Sequence, residues 1–339
     1  AVARFFRALD YFKKVQTFGD VPWIGKSLDI SEEAEIYKPR DPRTLVMDSV
    51  LADINYAIEN LRINDQSNTV NRDVALALKS RIALYEGTYR KYHTELGLQG
   101  AAKFLNEAKD ASEQLMMTGK YQLGDYNALY NSMDLSSHKE VILHKKYLAG
   151  ALTHSVIGYT NSSTQMSGLT KSAVESYVTV DGLPIGQSPL YKGDATIEDV
   201  RANRDNRLLV TISDFLVYNG KLGSGGLSSS TGYRPSKFLQ PASVQLAPQN
   251  ETDAPLFWYA EVLLNYAEAC AELTQLGAYS ITQADLDKSI NLLRKRAGVS
   301  EFMFSGGDVM ASGFVINDPK IDADVPSLIW EIRRERRVE

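Results

Sequence analysis

Apolar residues return at three- and four-residue steps in six stretches of the chain, the spacing of helices that bury one stripe. The first stretch carries Phe5, Leu9, Phe12 and Val15, and the second Met47, Val50, Ile54, Ile58 and Leu61. The third has Ala75, Leu78, Ile82, Tyr85 and Tyr89, the fourth Phe104, Ala108, Ala111 and Leu115. Near the other end, Tyr259, Leu263, Tyr266, Cys270 and Leu273 form a fifth, and Leu286, Ile290, Leu293 and Ala297 a sixth. Asp41-Pro42 reads as the start of the second helix, a cap residue followed by proline. Thr282 with Asp285 three positions on reads as a capping box. A last helix is expected from about Pro326.

Between about 120 and 255 this texture is lost. Glycine, serine, asparagine and proline become frequent, and GKLGSGGLSSSTG (220–232) reads as a loop. Two short apolar runs there, EVILHKKY and RLLVTI, are expected as strands. The pattern predicts a mainly α protein in three parts. Residues 1–120 are a helical part, 121–254 a loop-rich part with short strands, and 255–339 a second helical part. Amphipathic helices of this kind pair and stack into hairpins. Segments two and three are expected to form one hairpin and five and six another, spaced more loosely than the tetratricopeptide (TPR) repeat of about 34 residues.

Composition narrows the function. The chain of 339 residues is 44% hydrophobic and 23% charged, an ordinary globular balance. Its net charge of −5 disfavours nucleic acid as a partner, because neutralising phosphates requires a basic face. The single cysteine, Cys270, leaves no internal disulfide or dithiol chemistry and falls on a helical stripe. No long apolar run suggests a membrane-spanning helix. Both ends fall inside helical patterns, so the chain is expected to be cut at each end.

Familiar chemical motifs are incomplete. Gly25-Lys26-Ser27 lacks the glycine that a phosphate loop needs at the position of Asp20, and Pro22 removes a donor, so a turn is expected. Gly223–Gly226 is followed by serines rather than a helix. Ser136-x-x-Lys139 has none of its acyl-enzyme companions. His93, His138, His144 and His154 fall in no metal-ligand spacing. The basic end, with Arg333, Arg334, Arg336 and Arg337 among Glu331 and Glu335, is expected to pair internally at three- and four-residue steps. No cofactor, metal or catalytic residue is implied.

Aromatics are the remaining signal. Tyr159, Tyr177, Tyr191, Tyr218 and Tyr233 fall in the irregular part. Rings offer flat faces to the C–H faces of sugars, and Asn, Asp and Arg suit sugar hydroxyls.

In family order along nearly the whole chain, several strings resemble the SusD/RagB family. They are ARFFRALDYFKKVQTFGDVPWI, DPRTLVMDSVLADINYAIENL with NRDVALALKSRIALYEGTY, ESYVTVDGLPI, NRDNRLLVTI, GYRPSKFLQP, YAEVLLNYAEA with INLLRKRAG, and IRRERRVE. Asn206 stands where the family usually has proline. The resemblance implies a TPR-containing helical core and a loop-rich part that meets an oligosaccharide or polysaccharide. It implies a non-enzymatic role at the cell surface, with an N-terminal lipid anchor in the outer membrane lying outside this stretch. The partner it implies is a SusC-like TonB-dependent transporter. Arg4, Gly19, Pro22, Arg81 and Glu268 are expected to support packing. Ligand contacts vary within the family, so the candidate site residues are chosen by chemistry: Tyr218, Asn219, Tyr233 and Arg234, then Tyr159 and Trp23. Two rival readings are an intracellular TPR scaffold for peptides and a glycan-active hydrolase.

Overall fold

The computed structural model describes residues 1–63, 65–156, 168–213, 229, 231–238 and 249–339. The chain divides into two compact units, Ala1–Thr118 and Gly119–Glu339.

The first unit is helical. It holds α1 (Val2–Phe18), a single turn α2 (Glu33–Ile36), α3 (Arg43–Asn60), α4 (Arg72–Tyr92) and α5 (Ala101–Met117). Of the first stripe Phe5, Phe12 and Val15 are buried and Leu9 only partly, with Ala8 and Tyr11 buried beside them, and α1 ends at Gly19, whose φ of 70° favours a residue without a Cβ. The turn that follows does the capping expected of Asp41. The Asp20 carboxylate accepts the Arg43 N–H at 2.8 Å, while Asp41 accepts the Trp23 N–H at 2.7 Å and pairs with Lys38. Pro42 is thus the residue before α3 rather than its first member. At α4 the Asn71 side chain accepts the Val74 N–H at 3.0 Å, a cap worth about 1 kcal/mol.

Pairing differs from the expected hairpin of α3 with α4. The extensive interfaces are α1 with α3 and α4 with α5, and the α3–α4 contact is smaller. The reason lies on α4, which is buried on more than one face, with Leu76, Ala77, Ala83 and Gly87 covered as well as Leu78 and Ile82. Inside this unit Glu86, fully buried, accepts from Arg43 at 2.7 Å and from Arg90 at 2.8 Å. The Arg43 guanidinium also lies 3.5 Å from the Tyr89 ring centroid.

The second unit mixes short helices with two small sheets. In order come α6 (Tyr126–Asn131), β1 (Val141–Lys145), α7 (Lys171–Ser176), α8 (Ile197–Arg201), α9 (Asn206–Thr211), β2 (Ala254–Trp258), α10 (Tyr259–Gln275), α11 (Gln283–Asp287), α12 (Ile290–Ala297), the strands β3 (Met303–Ser305), β4 (Asp308–Ala311) and β5 (Phe314–Val315), and α13 (Ser327–Val338). Strands β1 and β2 pair antiparallel, and β3-β4-β5 form an antiparallel meander. EVILHKKY is a strand as expected. RLLVTI is not: it is α9, because the Asp205 side chain caps the Arg207 N–H at 2.9 Å and locks the Arg207 guanidinium, and these ties override the β preference of Val and Ile.

The fifth segment is α10, buried almost all round. The sixth is two helices, not one. The capping box of Thr282 and Asp285 is present. The helix then breaks at Lys288–Ser289, where the Ser289 hydroxyl takes the Asp285 carbonyl and the Ser289 N–H turns to Leu286 instead. Side-chain competition for a ladder carbonyl is the usual way serine interrupts a helix.

The basic end is an ionic seam, and its reach is longer than three- and four-residue steps. On α13 Arg334 pairs that way with Glu331. Arg333 reaches Glu268 and Glu272 on α10, and Arg336 reaches Glu268. Behind them, fully buried Arg207 pairs with Asp205, Glu335 and Glu339. Of the five residues expected to support packing, Glu268 does so through this seam, Gly19 through its φ, and Pro22 through its carbonyl, which accepts the Tyr11 hydroxyl at 3.2 Å, while Arg81 is half-buried on α4. Arg4 stacks on Tyr56, 3.9 Å from the ring centroid, with its side chain 47% exposed.

Candidate functional site

Tyr159, Tyr218 and Asn219 lie outside the described residues, as do Gly223–Gly226. The structure therefore locates three of the six candidates. Trp23 belongs to the first unit and is half-buried, tilted against Tyr11 at 4.3 Å between ring centroids and lying 5.0 Å from the Arg7 guanidinium. That is packing behind the turn. Arg234 is buried, 7% exposed, and its carbonyl accepts the Ser213 N–H. Tyr233 is half-exposed, its carbonyl tied to the Leu169 N–H at 3.0 Å and its ring packed on the cluster of Val174, Leu208 and Ile212.

A second tyrosine of the irregular part shares that surface. Tyr191 and Tyr233 both lie in the field of Lys171, Glu175, Asp194 and Arg204, and burial raises the pKa of each above the usual tyrosine value. Both hydroxyls stay protonated at neutral pH and can donate as well as accept. Tyr177 is different: it is buried, its hydroxyl bonded to Thr211 at 3.0 Å, with its pKa pushed up to about 12 by burial.

Helix α7 positions the polar groups. Thr170 caps it, accepting the Ala173 N–H at 3.1 Å. Lys171 in its first turn pairs with Asp194 at 2.5 Å, and that hydrogen bond raises the lysine pKa and lowers the aspartate's. Glu175, one turn on, pairs with Lys320. Arg204 is pinned beneath by the carbonyls of Val174 and Tyr177, both at 2.7 Å, with its guanidinium 5.5 Å from the Tyr191 ring centroid. Beside Tyr191 a cavity of about 180 Å³ is lined by Glu175, Ile185, Lys320 and Arg334 among others. The surface thus offers two aromatic side chains edged by the Lys171–Asp194 and Glu175–Lys320 ion pairs and by an Arg204 held on backbone carbonyls. It suits a ligand that is flat on one side and rich in hydroxyls, not a strong ion.

The remaining chemistry is structural. Cys270 is buried. His93 lies against Tyr89 at 4.1 Å between ring centroids, and His144 is buried 3.4 Å from Asp253. Among the described residues, no three His, Cys, Asp or Glu side chains gather as a metal site. Gly25 lies beside Trp23 and Arg7 in a turn whose carbonyl the Arg7 guanidinium holds at 2.6 Å, with no phosphate loop formed. Sequence reasoning named Tyr191 only among the loop aromatics; Lys171, Asp194 and Glu175 gave no signal, because their proximity arises from segments far apart in the chain.

A helical unit followed by a mixed unit with small sheets is an order of elements that solved structures share. A SusD-like carbohydrate binding protein from Bacteroides fragilis superposes with a TM-score of 0.72 at 23% identity, covering 99% of this chain and 63% of that one. A structure crystallised with a xylogluco-oligosaccharide superposes with a TM-score of 0.60 at 16% identity, over 99% and 61%. In sequence, SusD-like protein P2 of Formosa agariphila is 22% identical over 317 residues, 86% of this chain and 58% of that protein. The family model described as SusD family matches residues 139–339, and the chain belongs to that family. The chain spans 58% of the length of the curated relative and 63% of the first of these structures.

Proposed function

We propose that this chain is part of a non-catalytic protein of the outer-membrane surface that captures an oligosaccharide and passes it to a SusC-like TonB-dependent transporter. The family match over residues 139–339 carries the reading, because that stretch holds the Tyr191–Tyr233 surface. The Bacteroides fragilis neighbour is a carbohydrate binding protein, and a second neighbour was crystallised with a xylogluco-oligosaccharide. The loop-rich part, 121–254, supplies the ligand contacts, and Tyr218, Asn219 and Tyr159 remain candidates beside Tyr191 and Tyr233. Affinity comes from ring stacking and from hydrogen bonds of neutral phenols and paired charges. Lipid anchoring places the site outside the cell, and helices of the core meet the transporter.

A glycan array probed with the full-length protein tests this. Binding to at least one oligosaccharide is expected, with affinity reduced about tenfold by Tyr191→Ala or Tyr233→Ala, since one aromatic contact is worth about 0.5–1.5 kcal/mol beyond its area. The bound sugar should be recovered uncut. Release of reducing sugar would make the protein a hydrolase, and wild-type affinity in both tyrosine variants would move the site elsewhere.

A further inference from the structure

Helix α13 buries Leu328, Ile329, Ile332 and Glu335. Its other face is unusual: Arg333 and Arg334 stand three and four residues after Trp330, and Arg337 four and three after them, so the four share one side of the helix. That side forms the wall of a cavity of about 380 Å³, completed by Ser176 of α7 and by Asp322 and Val325. The volume lies within the range of small-ligand sites, about 300–1,000 Å³.

The chemistry of the lining is uneven. Arg333 is engaged by Glu268 and Glu272, and Arg334 by Glu331 and Asp318. The Trp330 indole is half-buried and held by its N–H, which donates to Asp318 at 3.0 Å. Arg337 and Asp322 are different. Both are exposed, and among the described residues neither has an ionic partner. Among the described residues the Arg337 guanidinium donates only to the Ser172 hydroxyl at 3.0 Å, and the Asp322 carboxylate accepts only a long bond from the Asp324 N–H at 3.3 Å. One guanidinium and one carboxylate thus face the same concavity unpaired, beside an indole and the Ser176 residue. Such a set offers donors and an acceptor with no net charge, which fits a polyhydroxylated neutral ring and gives an anion little advantage.

The cavity is also next to the candidate site. Arg334 lines both this concavity and the smaller one beside Tyr191, and the adjacent residues Glu175 and Ser176 line one each. We infer that the α13 concavity is a second sugar subsite, continuous past Arg334 with the Tyr191 surface, and that the ligand is a neutral oligosaccharide long enough to occupy both. This rests on the reading that the Tyr191–Tyr233 surface binds saccharide.

Length dependence tests it. Full-length protein is titrated calorimetrically with cello-, xylo- and malto-oligosaccharides from di- to heptasaccharide. In the series that binds, affinity should rise with each added residue until both subsites are filled. Arg337→Ala and Asp322→Ala, both at exposed positions, should each lower the affinity of the long members about tenfold and leave the disaccharide unchanged. Tyr191→Ala should weaken short and long members alike. Equal affinity at all lengths, wild-type affinity of the long members in both α13-cavity variants, or a preference for uronic-acid chains of the same length would overturn the inference while leaving the Tyr191 site intact. If no member of any series binds and the array is also blank, the underlying reading falls and this subsite with it.

Discussion

Gly87 sits inside α4, where a glycine is ordinarily a weakness. In an exposed helix, replacing it with alanine would stabilise by about 1 kcal/mol through reduced unfolded-chain entropy and better propensity. The packing of α4 on α5 reverses the expectation. A Cβ built at Gly87 would lie 2.7 Å from Leu105 Cγ, 2.9 Å from Cδ2 and 3.0 Å from the Leu105 backbone nitrogen. Leu105 is fully buried, and its amide belongs to the first turn and a half of α5, so neither helix can yield by a side-chain rotation alone. Overpacking of this kind typically costs about 1–3 kcal/mol, and with backbone involved the upper part of that range applies. Subtracting the propensity gain, Gly87→Ala should destabilise by about 1–2 kcal/mol. Equilibrium urea unfolding followed by circular dichroism reads this as a lower midpoint at unchanged slope. A double-mutant cycle sharpens the test. In a Leu105→Ala background most of the overlap is gone, so the same Gly87→Ala change should lose its penalty or turn stabilising. A Gly87→Ala midpoint at or above wild type in the native background would refute the close-approach argument.

Other perturbations follow from the buried charges. Glu86→Ala leaves Arg43 and Arg90 buried without their shared carboxylate, and should lower stability by about 3–5 kcal/mol in the same unfolding assay, with Glu86→Gln losing less. A loss under 1 kcal/mol would show that the arginines find water. Lys237 lies over the Tyr126 and Tyr130 rings, 4.7 and 4.1 Å from their centroids, and burial depresses its pKa from 10.5 to about 8. The unfolded chain holds that proton more tightly, so the penalty is complete below pH 8 and is relieved as pH rises from 8 towards 10.5. Lys237→Met should remove that rise and gain up to about 3 kcal/mol at neutral pH. A wild-type unfolding midpoint that is flat across this window would mean that the tyrosine rings offset the burial.

The order of the helices, the capping box at Thr282 and the lone buried cysteine were legible in the residues alone. Apolar spacing and cap chemistry are local properties, and local rules suffice where a helix carries one clear stripe. The family was legible for a related reason, since its strings keep their order along the chain. Local rules failed where distant groups compete for the same backbone. Asp20 displaced Asp41 as the partner of α3, Asp205 and the buried Arg207 turned RLLVTI into helix, and Ser289 broke the sixth segment by taking a carbonyl.

For the site, aromatic enrichment in the irregular part drew attention to Tyr191 and Tyr233 but could not distinguish them from buried Tyr177. Exposure depends on what packs against a ring, and that is set by segments far away in sequence. The same holds for α13. Its steps of Trp330, Arg333, Arg334 and Arg337 are visible in the letters, yet which arginines are neutralised is decided by Glu268, Glu272 and Asp318, brought in from other elements. Periodicity belongs to the chain, whereas charge compensation and concavity exist only once the chain has folded.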